Sequence, residues 1–151
     1  MNLSNVARLR AQGTGLGAQK NEISKVMEDF RFEQLDIWKE AIEVSDVLFD
    51  YADNADNKRL YKFAEQLRAA AMSISNNIAE GSGSFSDKEF ASFLNISRRS
   101  IFECANILCI YVRRNVITFE EKATVYTRLL KLSKMITNFR KTITSNYCSE
   151  P

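Results

Sequence analysis

With 151 residues, 17.3 kDa, 45% hydrophobic and 26% charged residues, the chain has material for one domain with a real core and too little for two. Histidine is absent, which excludes Ser-His-Asp and Cys-His hydrolases, His-ligated zinc or haem, and imidazole acid–base chemistry. The net charge of +2 is unevenly spread, at +1 over residues 1–29, −4 over 30–84 and +5 over 85–151, and that polarity bears on partners.

The only proline is Pro151, and no glycine follows Gly83. A β protein of this size needs many tight turns, so the composition predicts long helices. Three cysteines (Cys104, Cys109, Cys148) without a C-x-x-C fit a reducing compartment and no disulfide framework. The chain shows no apolar leader and no membrane-spanning run, so a soluble cytoplasmic protein with no membrane partner is expected.

Residues 1–29 read as a flexible arm with a short helix at Ile23–Met27. Its Gly13-x-Gly15-x-Gly17 follows no strand and opens no βαβ unit, so it is not a dinucleotide loop. The first long helix is expected from Phe32 to Ala52. Asp36, Glu40, Glu43 and Asp50 line one side, with Glu33 and Asp46 at its edges. Leu35, Trp38, Ala41, Ile42, Val44, Leu48 and Phe49 fill about half the circumference, more than the ~100° a surface helix buries. The run 53–57 (Asp-Asn-Ala-Asp-Asn) should break it.

The second helix is expected over Lys58–Glu80, with Leu60, Phe63, Leu67, Ala71, Ile74 and Ile78 at helical spacing. Ala69–Ala71, Ser73 and Ser75 keep its surface small, so it should be the most buried, and the loop Gly81–Ser84 should end it. The third helix starts at a capping box, Ser86-x-x-Glu89, with Phe85 and Phe90 placed as a hydrophobic staple, and ends near Arg113–Asn115. Phe102 and Cys109 widen its apolar face. The fourth starts at a second box, Thr118-x-x-Glu121, with Val125, Leu129, Leu132, Ile136, Phe139 and Ile143 on one face. Arg128, Lys131, Lys134, Asn138 and Lys141 lie opposite. Short links make this an all-α, antiparallel up-down-up-down four-helix bundle over 30–145, followed by a tail at 146–151.

Three blocks carry a family resemblance: Phe32-Glu-x-Leu35-x-x-Trp38-x-x-Ala41, the run Gln66 to Gly81 ending in Asn77-Ile-Ala-Glu80-Gly81, and Glu89-Phe90-x-x-Phe93-Leu94-x-Ile-Ser-Arg98-x-Ser100 with Glu103. Over about residues 30–143 the chain resembles the bacterial four-helix-bundle proteins encoded in intervening sequences of 23S rRNA genes. These are similar to accessory proteins of diversity-generating retroelements. The resemblance implies a homo-oligomer, expected as a pentameric ring, without enzymatic activity. Relatives linked to a reverse transcriptase are adaptors with a basic surface for nucleic acid. The family often has Arg at the position of Ser84 and usually Gly at that of Arg99.

Arg68 and Glu80 are the ionic members of the strongest block, and with Asn77 and Gly81 they read as structural. Arg68 is expected in an ion pair or cap at the corner between the second and third helices. Backbone N–H groups after Gly81–Ser84 face an end that Ser86 and Glu89 already cap, so anion binding there is disfavoured. Arg128, Lys131, Lys134 and Lys141, joined by Arg98 and Arg99 and by Arg113 and Arg114, are the candidate RNA- or DNA-binding cations, since phosphate contacts ask for charge at a surface. A competing use is assembly, the acidic flank of one copy's first helix meeting the basic fourth helix of the next. Trp38, Tyr61, Tyr111 and Tyr126 read as core or interface packing. Cys104 reads as a small core hydrophobe. The outward carboxylates without His make no metal site, and no cofactor is implied.

Two functions follow. The first is a non-enzymatic adaptor that self-associates through the surplus apolar flanks of the first and third helices and binds RNA or a reverse transcriptase. The alternative is a purely structural oligomer or protein-interaction module without nucleic acid.

Overall fold

The computed structural model describes residues 30–145; the expected arm with its short helix and glycine run, and the tail with Cys148, lie outside the described residues. A 3-10 turn, Arg31–Gln34, precedes α1 (Asp36–Asn57), α2 (Tyr61–Ser82), α3 (Asp87–Arg113) and α4 (Phe119–Ser145). The four helices form a bundle, with no strand among the described residues. Each helix packs on the next, and α4 also meets α1. No described helix is long and apolar enough to cross a membrane.

Apolar side chains at helical spacing explain the packing. Ala41, Val44 and Leu48 of α1, Leu67, Ile74 and Ile78 of α2, Leu94, Cys104 and Leu108 of α3, and Leu129, Leu132 and Ile136 of α4 are buried together. The small residues of α2 let its neighbours approach its backbone. Ser45 of α1 donates to Ala41 O at 2.8 Å and lies 3.3 Å from Ala71 O. Ser97 of α3 donates to Ile74 O at 2.8 Å. Short hydroxyls thus join three helices without leaving a buried polar atom unpaired at these crossings.

Gly81 belongs to the same logic. It lies inside α2, buried, and a Cβ there would come within 2.6 Å of Phe93 Cβ and Phe90 Cδ2. Glycine is what lets the start of α3 press on the end of α2.

The helix ends show which signals acted. Both capping boxes form at their Ser or Thr. Glu89 N donates to Ser86 Oγ at 3.2 Å, and Glu121 N donates to Thr118 Oγ1 at 3.1 Å. At the second box Thr118 N also donates to Glu121 Oε2 at 2.7 Å, closing the reciprocal pair. The C-termini of α1 and α3 close as Schellman turns. Leu60 N donates to Ala55 O with Arg59 at φ 60°, and Val116 N donates to Tyr111 O with Asn115 at φ 54°.

Four expectations are corrected. Residues 53–57 continue α1 instead of breaking it, because Ala55 is fully buried and the Schellman turn comes later. The second helix begins at Tyr61, since 58–60 form that turn, and it ends within the expected Gly81–Ser84 stretch but two residues into it, at Ser82 with Gly83 as its cap. Phe85 is fully exposed, so it does not staple onto Phe90. Phe90 instead meets Phe139 edge-on at 5.6 Å and carries Arg31 over its ring at 5.8 Å. Phe102 does not widen the buried face of α3; it is 57% exposed.

Candidate nucleic-acid interface

The basic residues of α3 and α4 divide into two groups. Arg128 reaches α1: Nε donates to Glu40 Oε1 at 3.3 Å and Nη2 to Glu43 Oε2 at 3.1 Å. Lys131 donates to the second oxygen of Glu40 at 3.2 Å. Glu40 retains only 14% side-chain exposure, so the bonds from Arg128 Nε and Lys131 hold a largely sheltered carboxylate, while the third reaches the exposed Glu43. The acidic flank of the first helix therefore meets the basic flank of the fourth within one chain, where the assembly reading placed the contact between copies.

Arg98, Arg99, Lys134 and Lys141 form no ion pair among the described residues, and neither do Arg113 and Arg114. Arg99, Lys134 and Lys141 are exposed. Arg98 is half-buried and lies over the Phe102 ring, 5.2 Å from its centroid. On α4, Lys122 lies 5.1 Å from the Tyr126 centroid and 5.3 Å from that of Phe119. Between these aromatics runs an apolar groove lined by Ile101, Phe102, Ala105, Tyr126, Leu129, Leu130 and Ser133. Helical periodicity puts Phe102 on the core side and gives Leu130 no role, yet both are exposed, at 57% and 53%. The signal that finds them is their shared position beside the cations, which only the docked pair of helices reveals.

A second basic cleft lies where α3 begins and α4 ends, lined by Lys88, Ala91, Ser92, Arg140 and Thr144. Arg140 Nε is fixed on Ala91 O at 3.2 Å. Neither cation was among those expected to bind.

The residues of the strongest sequence block hold helices together. Arg68 pairs with both Asp53 and Asp56, the latter at 2.7 Å. It therefore clamps the α1–α2 corner, not the corner between α2 and α3, because continuing α1 to Asn57 brings both carboxylates alongside it. Its hydrogen bonds to Asp56 and then to Asp53, which accept them, raise its affinity for its proton further. Asn77 Nδ2 donates to Ser73 O and Oγ at 2.7 and 3.0 Å, and Ser73 Oγ meets Ser100 Oγ at 2.8 Å, a polar link from α2 to α3. Glu80 is exposed and forms no ion pair among the described residues.

The aromatics separate by depth. Tyr111 is fully buried, Trp38 packs partly against the core and 5.0 Å from Phe32, and Tyr61 is exposed. Cys104 is fully buried, and desolvation pushes its thiol up to about 12, in keeping with a small hydrophobe.

Residues 33–138 match the model of a family described as 23S rRNA-intervening sequence protein, a span that takes in all three sequence blocks from Glu33 onward. No curated protein matches the chain.

Proposed function

The chain belongs to the 23S rRNA-intervening sequence protein family, and from that premise we propose that it is a non-enzymatic, self-associating bundle that binds RNA through a basic face on α3 and α4. One observation carries the reading. The ion pairs of α4 draw Arg128 and Lys131 onto α1, while Arg98, Arg99, Lys134 and Lys141 keep their charge free of carboxylates among the described residues. Free surface cations meet phosphates with no fine geometry required.

We read the helices as alternating in direction, up-down-up-down. The register pairs that support this are Tyr51 with Glu121 and Glu40 with Lys131, which run oppositely along α1 and α4. Self-association is supported by large apolar side chains left on the surface of three helices: Ile42 on α1, Met72 on α2 and Ile96 on α3. An RNA-handling enzyme such as a reverse transcriptase is the protein partner such an adaptor would serve.

Two measurements on the full chain test this. Light scattering should give a mass that is a multiple of 17.3 kDa. Affinity for an RNA oligonucleotide should fall steeply with salt, in proportion to the phosphates neutralised. A 17.3 kDa particle contradicts the assembly, and retention of no RNA at low salt contradicts the binding. The purely structural oligomer predicts the first result without the second.

A further inference from the structure

The groove between α3 and α4 differs in kind from the rest of the basic surface. Each of its walls carries an aromatic ring with a cation laid on it: Phe102 under Arg98 at 5.2 Å, and Tyr126 under Lys122 at 5.1 Å. Leu130 stands exposed beside them, and Lys134 follows one turn later on α4. Arg99 precedes Phe102 by three residues and is exposed. Glu103, next to Phe102, is the acid on that exposed turn of α3.

We propose that this groove is a stacking platform for single-stranded RNA. Phe102 takes the face of a base, and Arg98, Arg99 and Lys134 meet the flanking phosphates. The proposal rests on the RNA-binding reading above and narrows it to unpaired strands. A duplex hides its base faces and offers an aromatic side chain nothing to stack on. A single strand offers both a π-face and a phosphate at each step, matching the alternation of ring and cation here. A second copy of the chain fits less well. Seating an apolar face on the groove would desolvate Arg98 and Lys122, neither of which has a carboxylate partner among the described residues. A polyanion meets that charge as it binds.

The test uses fluorescence anisotropy with one labelled RNA oligonucleotide, alone and annealed to its complement, across a range of NaCl. Phe102→Leu keeps the apolar surface and removes the ring. It should weaken single-strand binding about tenfold while leaving the salt slope unchanged. Duplex binding should not respond. Phe102→Trp should restore single-strand affinity. Lys134→Gln should instead lower the salt slope by about one. Unchanged single-strand affinity in Phe102→Leu overturns the proposal while leaving the broader reading intact. A loss of mass by light scattering in Phe102→Glu, with RNA affinity preserved, assigns the groove to a second copy and also overturns it. Absence of RNA binding by the wild type removes both together.

Discussion

Arg128 of α4 and Glu40 of α1 lie 88 positions apart in sequence and share a hydrogen-bonded ion pair of 3.3 Å. That contact fixes the closing seam of the bundle. Glu40 is only 14% exposed, so its charge is poorly solvated without its partners. Arg128 is 31% exposed, which screens part of the gain. Arg128→Ala should cost about 1 kcal/mol by urea denaturation. A double-mutant cycle with Glu40→Ala should return a coupling of roughly 0.5–1 kcal/mol. Lys131 keeps one contact to Glu40 in the single variant, which limits the loss.

Gly81→Ala sets two effects against each other. Alanine gains up to about 1 kcal/mol over glycine inside a helix. Its Cβ would lie 2.6 Å from Phe93 Cβ, an atom tied to the α3 backbone, and overpacking of this kind costs about 1–3 kcal/mol. Steric cost should win. The denaturation midpoint should fall, with an unchanged m-value if the native packing adjusts only locally.

Burial pushes the Cys104 thiol up to about 12 from 9.0 and the Tyr111 hydroxyl up to about 12 from 10.0. Both groups are neutral when protonated, and both bind their proton more tightly folded than unfolded. Their stabilising contribution is therefore whole below pH 9 and is lost as pH rises towards 12. Over that window stability should fall by roughly 1.4 kcal/mol per pH unit for each group whose unfolded form has ionised. Urea denaturation at pH 8, 9.5 and 10.5 checks the slope. The Tyr111 hydroxyl is buried and finds no hydrogen-bond partner among the described residues. Tyr111→Phe should leave stability at pH 7 within about 1 kcal/mol of wild type and flatten the alkaline loss.

Local chemistry was readable where a few neighbouring residues decide the outcome. Ser86 with Glu89 and Thr118 with Glu121 start helices because their bonds span three residues. The end of α1 was not readable. Arg59 takes the left-handed position that glycine usually marks, and Asp53 and Asp56 stay helical alongside the Arg68 clamp from α2. Phe85 sat at a staple position, but Phe90 found Phe139 from α4 instead. For the candidate interface, periodicity placed Arg128 and Lys134 on one stripe. It showed that the acids of α1 are opposite in charge to that stripe, but a charge pattern does not say whether the complementary helix is the chain's own or another copy's. Once α4 docks on α1, the stripe splits into paired and free cations.

Lys131 and Lys134 make the most direct test of that split, since they stand three residues apart on α4, one bound to Glu40 and the other free of ion pairs among the described residues. Each should be neutralised to Gln, and the salt dependence of affinity for a single-stranded RNA oligonucleotide measured by anisotropy. Lys134→Gln should lower both affinity and slope, the slope by about one, while Lys131→Gln leaves the slope at the wild-type value. Equal losses from the two, or a loss confined to Lys131→Gln, would contradict the assignment of RNA binding to the free cations.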